Sequence, residues 1–314
     1  MRKTASTTAA RPPHAAPDPA AQTRPARIIT CPADGPPVTR DDSVAREEPL
    51  EIRVRGRSVA VTMRTPGADA ELAAGFLLTE GLLHTRADVV EIAHCGRGEA
   101  ALHGNTLNVF VAASVAIDFE RLTRHVFASS SCGLCGKASI ESVHQNFPPL
   151  KTDRTLAPAV IHELPEKLRA AQTVFATTGG LHAAAIFDLA GNLVVAREDV
   201  GRHNAVDKVL GHGLLHDLLP FDRHVLFVSG RASFEILQKA LAARLPFIAS
   251  VSAPSSLAVE FAQASGQTLI GFVRGKSFNI YSHAHRITGA NVAEKAPKQF
   301  AGRVRKSAAP RRVS

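Results

Sequence analysis

Between residues 183 and 272 short apolar runs alternate with segments of helical spacing, and this alternation limits the possible folds more than any other feature of the chain. Residues 183–188 and 193–198 read as a hairpin, 204–215 as a helix, 225–228 as a buried strand and 234–244 as a helix. Residues 247–251, 257–264 and 268–272 continue the series as strand, helix and strand. Short apolar strands separated by helices belong to a mostly covered sheet, so an α/β layer is expected here.

Upstream the texture differs. Residues 50–61 alternate apolar and polar around Gly56, which predicts a hairpin. Thr65-Pro66-Gly67-Ala68-Asp69 then punctuates, and Leu72, Phe76, Leu77 and Leu83 set a helical repeat over 71–83. With strands at 89–92 and 106–111, this makes a small α+β unit. Helices are also expected at 119–127 and 164–176. The expected organisation is a tail at 1–40, a small α+β domain at 41–118, a larger α/β domain at 119–290 and a second tail at 291–314. Both tails are poor in large apolar residues and cannot offset the entropy of ordering, so they are expected to be unstructured.

The net charge of +9 belongs to these tails. Residues 1–30 carry a net +4 and residues 291–314 a net +6, which leaves −1 between them. A nucleic-acid reader needs its basic face on the fold itself, so that class is set aside. No uncharged apolar run nears the ~20 residues of a membrane span, and four Cys in 314 residues cannot build a disulfide framework.

Chemistry concentrates first in Ser131-Cys132-Gly133-Leu134-Cys135-Gly136-Lys137. Two thiols three residues apart, between glycines and beside a lysine that favours thiolate, suit a redox pair, half of a metal site or a sulfur-transfer nucleophile. The remaining cysteines, Cys31 and Cys95, lack a partner at zinc-ligand spacing. A deaminase zinc site is not supported, since no His-x-Glu precedes the pair and Ser131 stands where proline is expected. A thioredoxin-like reading lacks the small βαβ unit before it.

A second group lies downstream, where small polar and charged residues recur at strand ends. These are Gly180 and His182, then Arg202 and His203 with Asp199, then Ser229-Gly230-Arg231, then Ser252–Ser256, then Phe272-Val273-Arg274-Gly275-Lys276-Ser277. Backbone N–H groups at helix starts suit an anion, so a phosphorylated or nucleotide-bearing ligand is expected. The competing reading makes His182, His203 and Asp199 satisfied structural groups.

Taken together, Thr65–Leu77, Ser131–Lys137, Thr178–His182, Glu198–Lys208, Ser229–Glu235, Ser252–Ala258 and Gly271–Arg274 resemble the formate dehydrogenase accessory sulfurtransferase family. The resemblance runs from about residue 48 to 287. It implies a cytidine-deaminase-like larger domain without the deaminase zinc, and a cytoplasmic homodimer. It also implies a sulfur carrier that takes persulfide sulfur from a cysteine desulfurase. The carrier hands it to Mo-bis(molybdopterin guanine dinucleotide) before that molybdenum cofactor enters formate dehydrogenase. Cys132 matches the persulfide-bearing position, Cys135 the second loop cysteine and Phe272–Ser277 the cofactor-contacting strand end. No catalytic metal, membrane or nucleic acid is implied. A zinc- or redox-regulated binding protein using the same two thiols is the alternative.

Overall fold

The computed structural model describes residues 17–96, 104–119 and 136–290. Cys132, Cys135, the expected helix at 119–127 beyond its first residue, and both chain ends lie outside the described residues.

The first ordered element overturns an expectation. Residues short of 40 were expected to be unstructured, yet a single turn, α1 (Pro19–Gln22), leads into β1 (Thr23–Thr30), which pairs antiparallel with β2 (Val38–Ala45). Composition predicts disorder because these strands bury little. Order comes instead from cross-strand pairing, from the Asp18 side chain capping α1 at Ala20 N, and from an anchor at the base. There Arg46 N donates to Gln22 O, and the Gln22 amide donates to Pro66 O.

The smaller unit follows. β3 (Glu48–Val54) and β4 (Arg57–Arg64) form the expected hairpin, closed by Arg55 and Gly56, both left-handed at φ 48° and 79°. Such turns match the twist of the strands. After α2 (Asp69–Thr79), β5 (Val89–His94) and β6 (Thr106–Val111) complete a sheet ordered β4-β3-β6-β5.

The larger unit contains α3 (Gly136–Asn146), α4 (Pro158–Ala171) and α5 (Thr173–Thr178). One helix was expected over 164–176. It breaks at Gln172, because the buried Glu198 carboxylate accepts from Val174 N and Phe175 N and thereby starts a new helix. Then come β7 (His182–Asp188), β8 (Leu193–Asp199), α6 (Arg202–Leu215), β9 (His224–Val228), α7 (Phe234–Ala242), β10 (Phe247–Ser250), α8 (Ser256–Ser265), β11 (Thr268–Arg274) and β12 (Ser277–Ile280). In this series from β7 onward, only β12 lacks an expected counterpart.

The sheet order is β12-β11-β10-β9-β7-β8. Alternate residues feed two cores. Ala184, Ile186, Leu226 and Ile248 face α6, α7, α8 and the smaller unit, while Ala183, Phe187, Phe227 and Phe247 face α4. The first core runs without a break from the larger sheet into Leu50, Ile52 and Leu107 of the smaller one. Where α2 crosses α6, the main chains meet directly. A Cβ on Gly75 would fall 1.8 Å from Asp207 O, and one on Gly211 would fall 1.8 Å from Glu71 O. The chain is thus a mixed α/β protein with a larger α/β unit and a smaller N-terminal α+β unit.

Candidate functional site

Strand direction assembles the site. β9, β10 and β11 are parallel, β7 is antiparallel to β9, and β8 is antiparallel to β7. The carboxyl ends of four strands and the amino end of β7 therefore share one edge of the sheet. All five polar junctions singled out in the sequence lie on that edge.

Their contacts are close. A Cβ on Gly230 would meet His182 Nδ1 at 3.3 Å and Arg202 Cβ at 3.7 Å, so the β9 turn lies close against both residues. Ser229 Oγ accepts from Ala183 N at 2.9 Å, and Ser250 Oγ donates to Gly230 O at 2.6 Å. Ala232 bridges Pro254, and Phe272 N donates to Ser252 O. These links tie the five junctions into one rim.

Arg202 is the open group. Its Nε is buried and has no hydrogen-bond partner among the described residues. A buried donor without an acceptor is costly, and an anionic ligand would supply one. The flanking imidazoles are shifted towards the neutral form. Burial pushes His182 down, with the Arg202 charge adding to it. Burial takes His203 down to about 4, against Glu235, which opposes the shift. His203 Nε2 lies 3.3 Å from Ser233 Oγ and 3.4 Å from Glu235 Oε2.

At the far end of the rim the chain bulges between Gly271 and Arg274. Phe272 adopts a left-handed φ of 53° and turns its ring outward, and the Arg274 guanidinium sits 5.6 Å from the ring centroid. Arg274 Nε also donates to Val251 O. Arg274, Gly275, Lys276, Ser277 and Arg231 are exposed. Val273 differs: its side chain is 1% exposed and belongs to the core beneath α4, so only its backbone reaches the rim. Beside the rim a cleft of about 540 Å³ opens under α4 and α5, lined by Gly180, His182, Ser229 and Val251 together with Arg169 and Phe175. The last two, which stack at 4.7 Å, carry no motif and were not anticipated.

Behind the rim the motif from Glu198 to Lys208 does structural work. Asp199 is fully buried, paired with Lys208 at 2.7 Å, and accepts from Thr65 N, Gly201 N and the Asn204 amide. This fixes the turn that presents Arg202. The structural reading thus holds for Asp199. Among the described residues one group has the makings of a metal site, Glu71 with His212 and His216. Both Glu71 oxygens already take Arg197 N–H donors, at 2.6 and 2.7 Å, so that network holds α2 against β8 and α6. No helix among the described residues is long and apolar enough to cross a membrane.

The chain is 52% identical over 258 residues to the sulfur carrier protein FdhD of Mycobacterium tuberculosis, covering 80% of this chain and 94% of that one. It is 50% identical over 264 residues to the sulfur carrier protein FdhD of Streptomyces coelicolor, covering 81% and 92%. A crystal structure from Desulfotalea psychrophila, described as a formate dehydrogenase accessory protein, superposes with a TM-score of 0.68 at 25% identity, over 85% of this chain and 99% of that one. The FdhD/NarQ family profile matches residues 45–288, the stretch that contains the whole rim and the Cys132–Cys135 pair. By sequence and by fold, the chain belongs to the FdhD/NarQ family.

Proposed function

We propose that this protein is a cytoplasmic, homodimeric sulfur carrier serving formate dehydrogenase. Cys132 as thiolate attacks the outer sulfur of a cysteine desulfurase persulfide. A Cys132 S–S bond forms, the desulfurase S–S bond breaks, and the desulfurase cysteine leaves as thiolate, with no net redox change. The sulfur then passes to the molybdenum of Mo-bis(molybdopterin guanine dinucleotide), bound as substrate at the rim, before the cofactor enters the enzyme. Release at the sulfide level takes two electrons, which Cys135 supplies by closing a disulfide with Cys132.

The observation that carries this reading is the Arg202 Nε left without an acceptor among the described residues, beside His182 and Gly230, on the edge that also presents Arg231, Arg274 and Lys276. A phosphate-bearing ligand supplies the missing acceptors. Phe272 offers a flat face for a heterocycle. The names of the relatives and the description of the structural neighbour point the same way.

Mixing the protein with a cysteine desulfurase and cysteine, then taking an intact mass, tests it. The expected result is a gain of one or more sulfur atoms that reductant reverses and Cys132→Ala abolishes. Persistent labelling of Cys132→Ala, or formate oxidation at the normal rate in a strain carrying it, overturns the reading.

A further inference from the structure

The cleft under α4 and α5 holds two polar groups that the fold does not use. Gln172 stands between the two helices and is only 6% exposed. A polar residue in that place usually caps the following helix with its side chain. Gln172 does not, because the Glu198 carboxylate has taken Val174 N and Phe175 N. Gln172 lines the cleft, and its amide makes no hydrogen bond among the described residues. A buried amide without partners is costly, and it asks for both a donor and an acceptor. Arg169 is the second group. Its guanidinium lies 4.7 Å from the Phe175 ring centroid and forms no hydrogen bond or ion pair among the described residues. Around them Pro165, Leu168, Phe175, Leu181 and Val251 make apolar walls. Apolar walls with a few placed polar groups are the make-up of a small-molecule site.

The cleft continues into the rim. His182 and Ser229 line it, and His182 packs with Arg202 against Gly230. Val251 lines it too and accepts from Arg274 Nε, which brings the Phe272–Arg274 pair to the same mouth. A ligand with its phosphates at Arg202 can therefore lay its other end in the cleft.

The polar groups favour one kind of ring. Arg169 offers only donors, and the Ser229 hydroxyl, whose oxygen accepts from Ala183 N, has its own hydrogen to give. Paired donors match a carbonyl beside a ring nitrogen, an edge that guanine and pterins share. Adenine carries an amino group there and sets donor against donor. The Gln172 amide oxygen then accepts from the ring N–H next to that carbonyl.

We propose that this cleft is a ring subsite for a fused 2-amino-4-oxopyrimidine, the heterocycle common to guanine and pterins, with Gln172 and Arg169 reading its edge. This rests on the reading of the rim as a phosphate site.

Calorimetry on the full chain tests it, with guanosine diphosphate, adenosine diphosphate, pyrophosphate and neopterin as probes. Gln172→Leu and Arg169→Met are each expected to weaken the oxo-ring probe by about tenfold or more, with pyrophosphate affinity unchanged. Arg169 is exposed, so its variant keeps the test open should Gln172→Leu fail to fold. A loss confined to guanosine diphosphate, with the preference over adenosine diphosphate erased, assigns the cleft to guanine. A loss confined to neopterin assigns it to a pterin. Variants that bind both probes as the wild type does, or that lose pyrophosphate equally, overturn the subsite and leave the sulfur carrier standing, because labelling of Cys132 does not depend on the cleft. A wild type that binds none of the probes overturns both the subsite and the phosphate-binding rim.

Discussion

The ammonium of Lys208 lies 2.7 Å from the Asp199 carboxylate, and neither side chain has any exposure to solvent. Lys208 also donates to Thr65 O and Glu198 O, so one cation gathers the smaller unit, β8 and α6. Removing one partner of a buried pair strands the other in a medium that cannot solvate it. Asp199→Ala is therefore expected to cost about 3–5 kcal/mol in urea unfolding. Asp199→Ala/Lys208→Met is expected to recover part of that loss.

His203 sets a pH dependence with a definite sign. Its folded value of about 4 lies below the 6.5 of the exposed group, so the folded chain binds fewer protons between those values. Stability attributable to His203 is complete above pH 6.5 and falls as the pH drops towards 4, by up to about 3 kcal/mol. His203→Gln is expected to flatten this part of a stability–pH curve. An unchanged slope in the variant would show that His203 is solvated.

The rim should bind anions through specific guanidinium groups. Arg202→Gln and Arg274→Gln are each expected to weaken binding of guanosine diphosphate roughly 10- to 100-fold by calorimetry, as for the loss of a charged hydrogen bond. Arg244, on the opposite edge of the sheet before β10, serves as the control. Equal losses in all three would mean non-specific charge attraction.

Phe272 predicts two effects of opposite sign. A left-handed backbone costs a non-glycine residue on the order of 1 kcal/mol. Phe272→Gly is therefore expected to leave the melting temperature unchanged or raise it, while lowering guanosine diphosphate affinity about tenfold through the lost stacking face.

What was legible in the sequence follows from how local each signal is. Residues 106–111 and 225–228 announced strands because apolar runs between turn residues need no knowledge of the rest of the chain. The five junctions were visible one by one. That they share an edge depends on the reversed direction of β7, which only the assembled sheet reveals. β1 was missed because its partner lies fifteen residues away from its midpoint and neither strand is apolar enough to stand out. Val273 was grouped with its exposed neighbours although alternation along β11 turns its side chain inward. Gly75 and Gly211, inside α2 and α6, carry no local signal of the helix crossing they permit.

Those two glycines bear on how the protein operates. Because bare backbone meets backbone where α2 crosses α6, the smaller unit is welded to the sheet, with no cushion of side chains on which to slide. Tilting one against the other would drive carbonyl oxygens into neighbouring Cα atoms. The rim is accordingly a fixed bench, and on the function proposed above any travel during sulfur delivery falls to whatever approaches it.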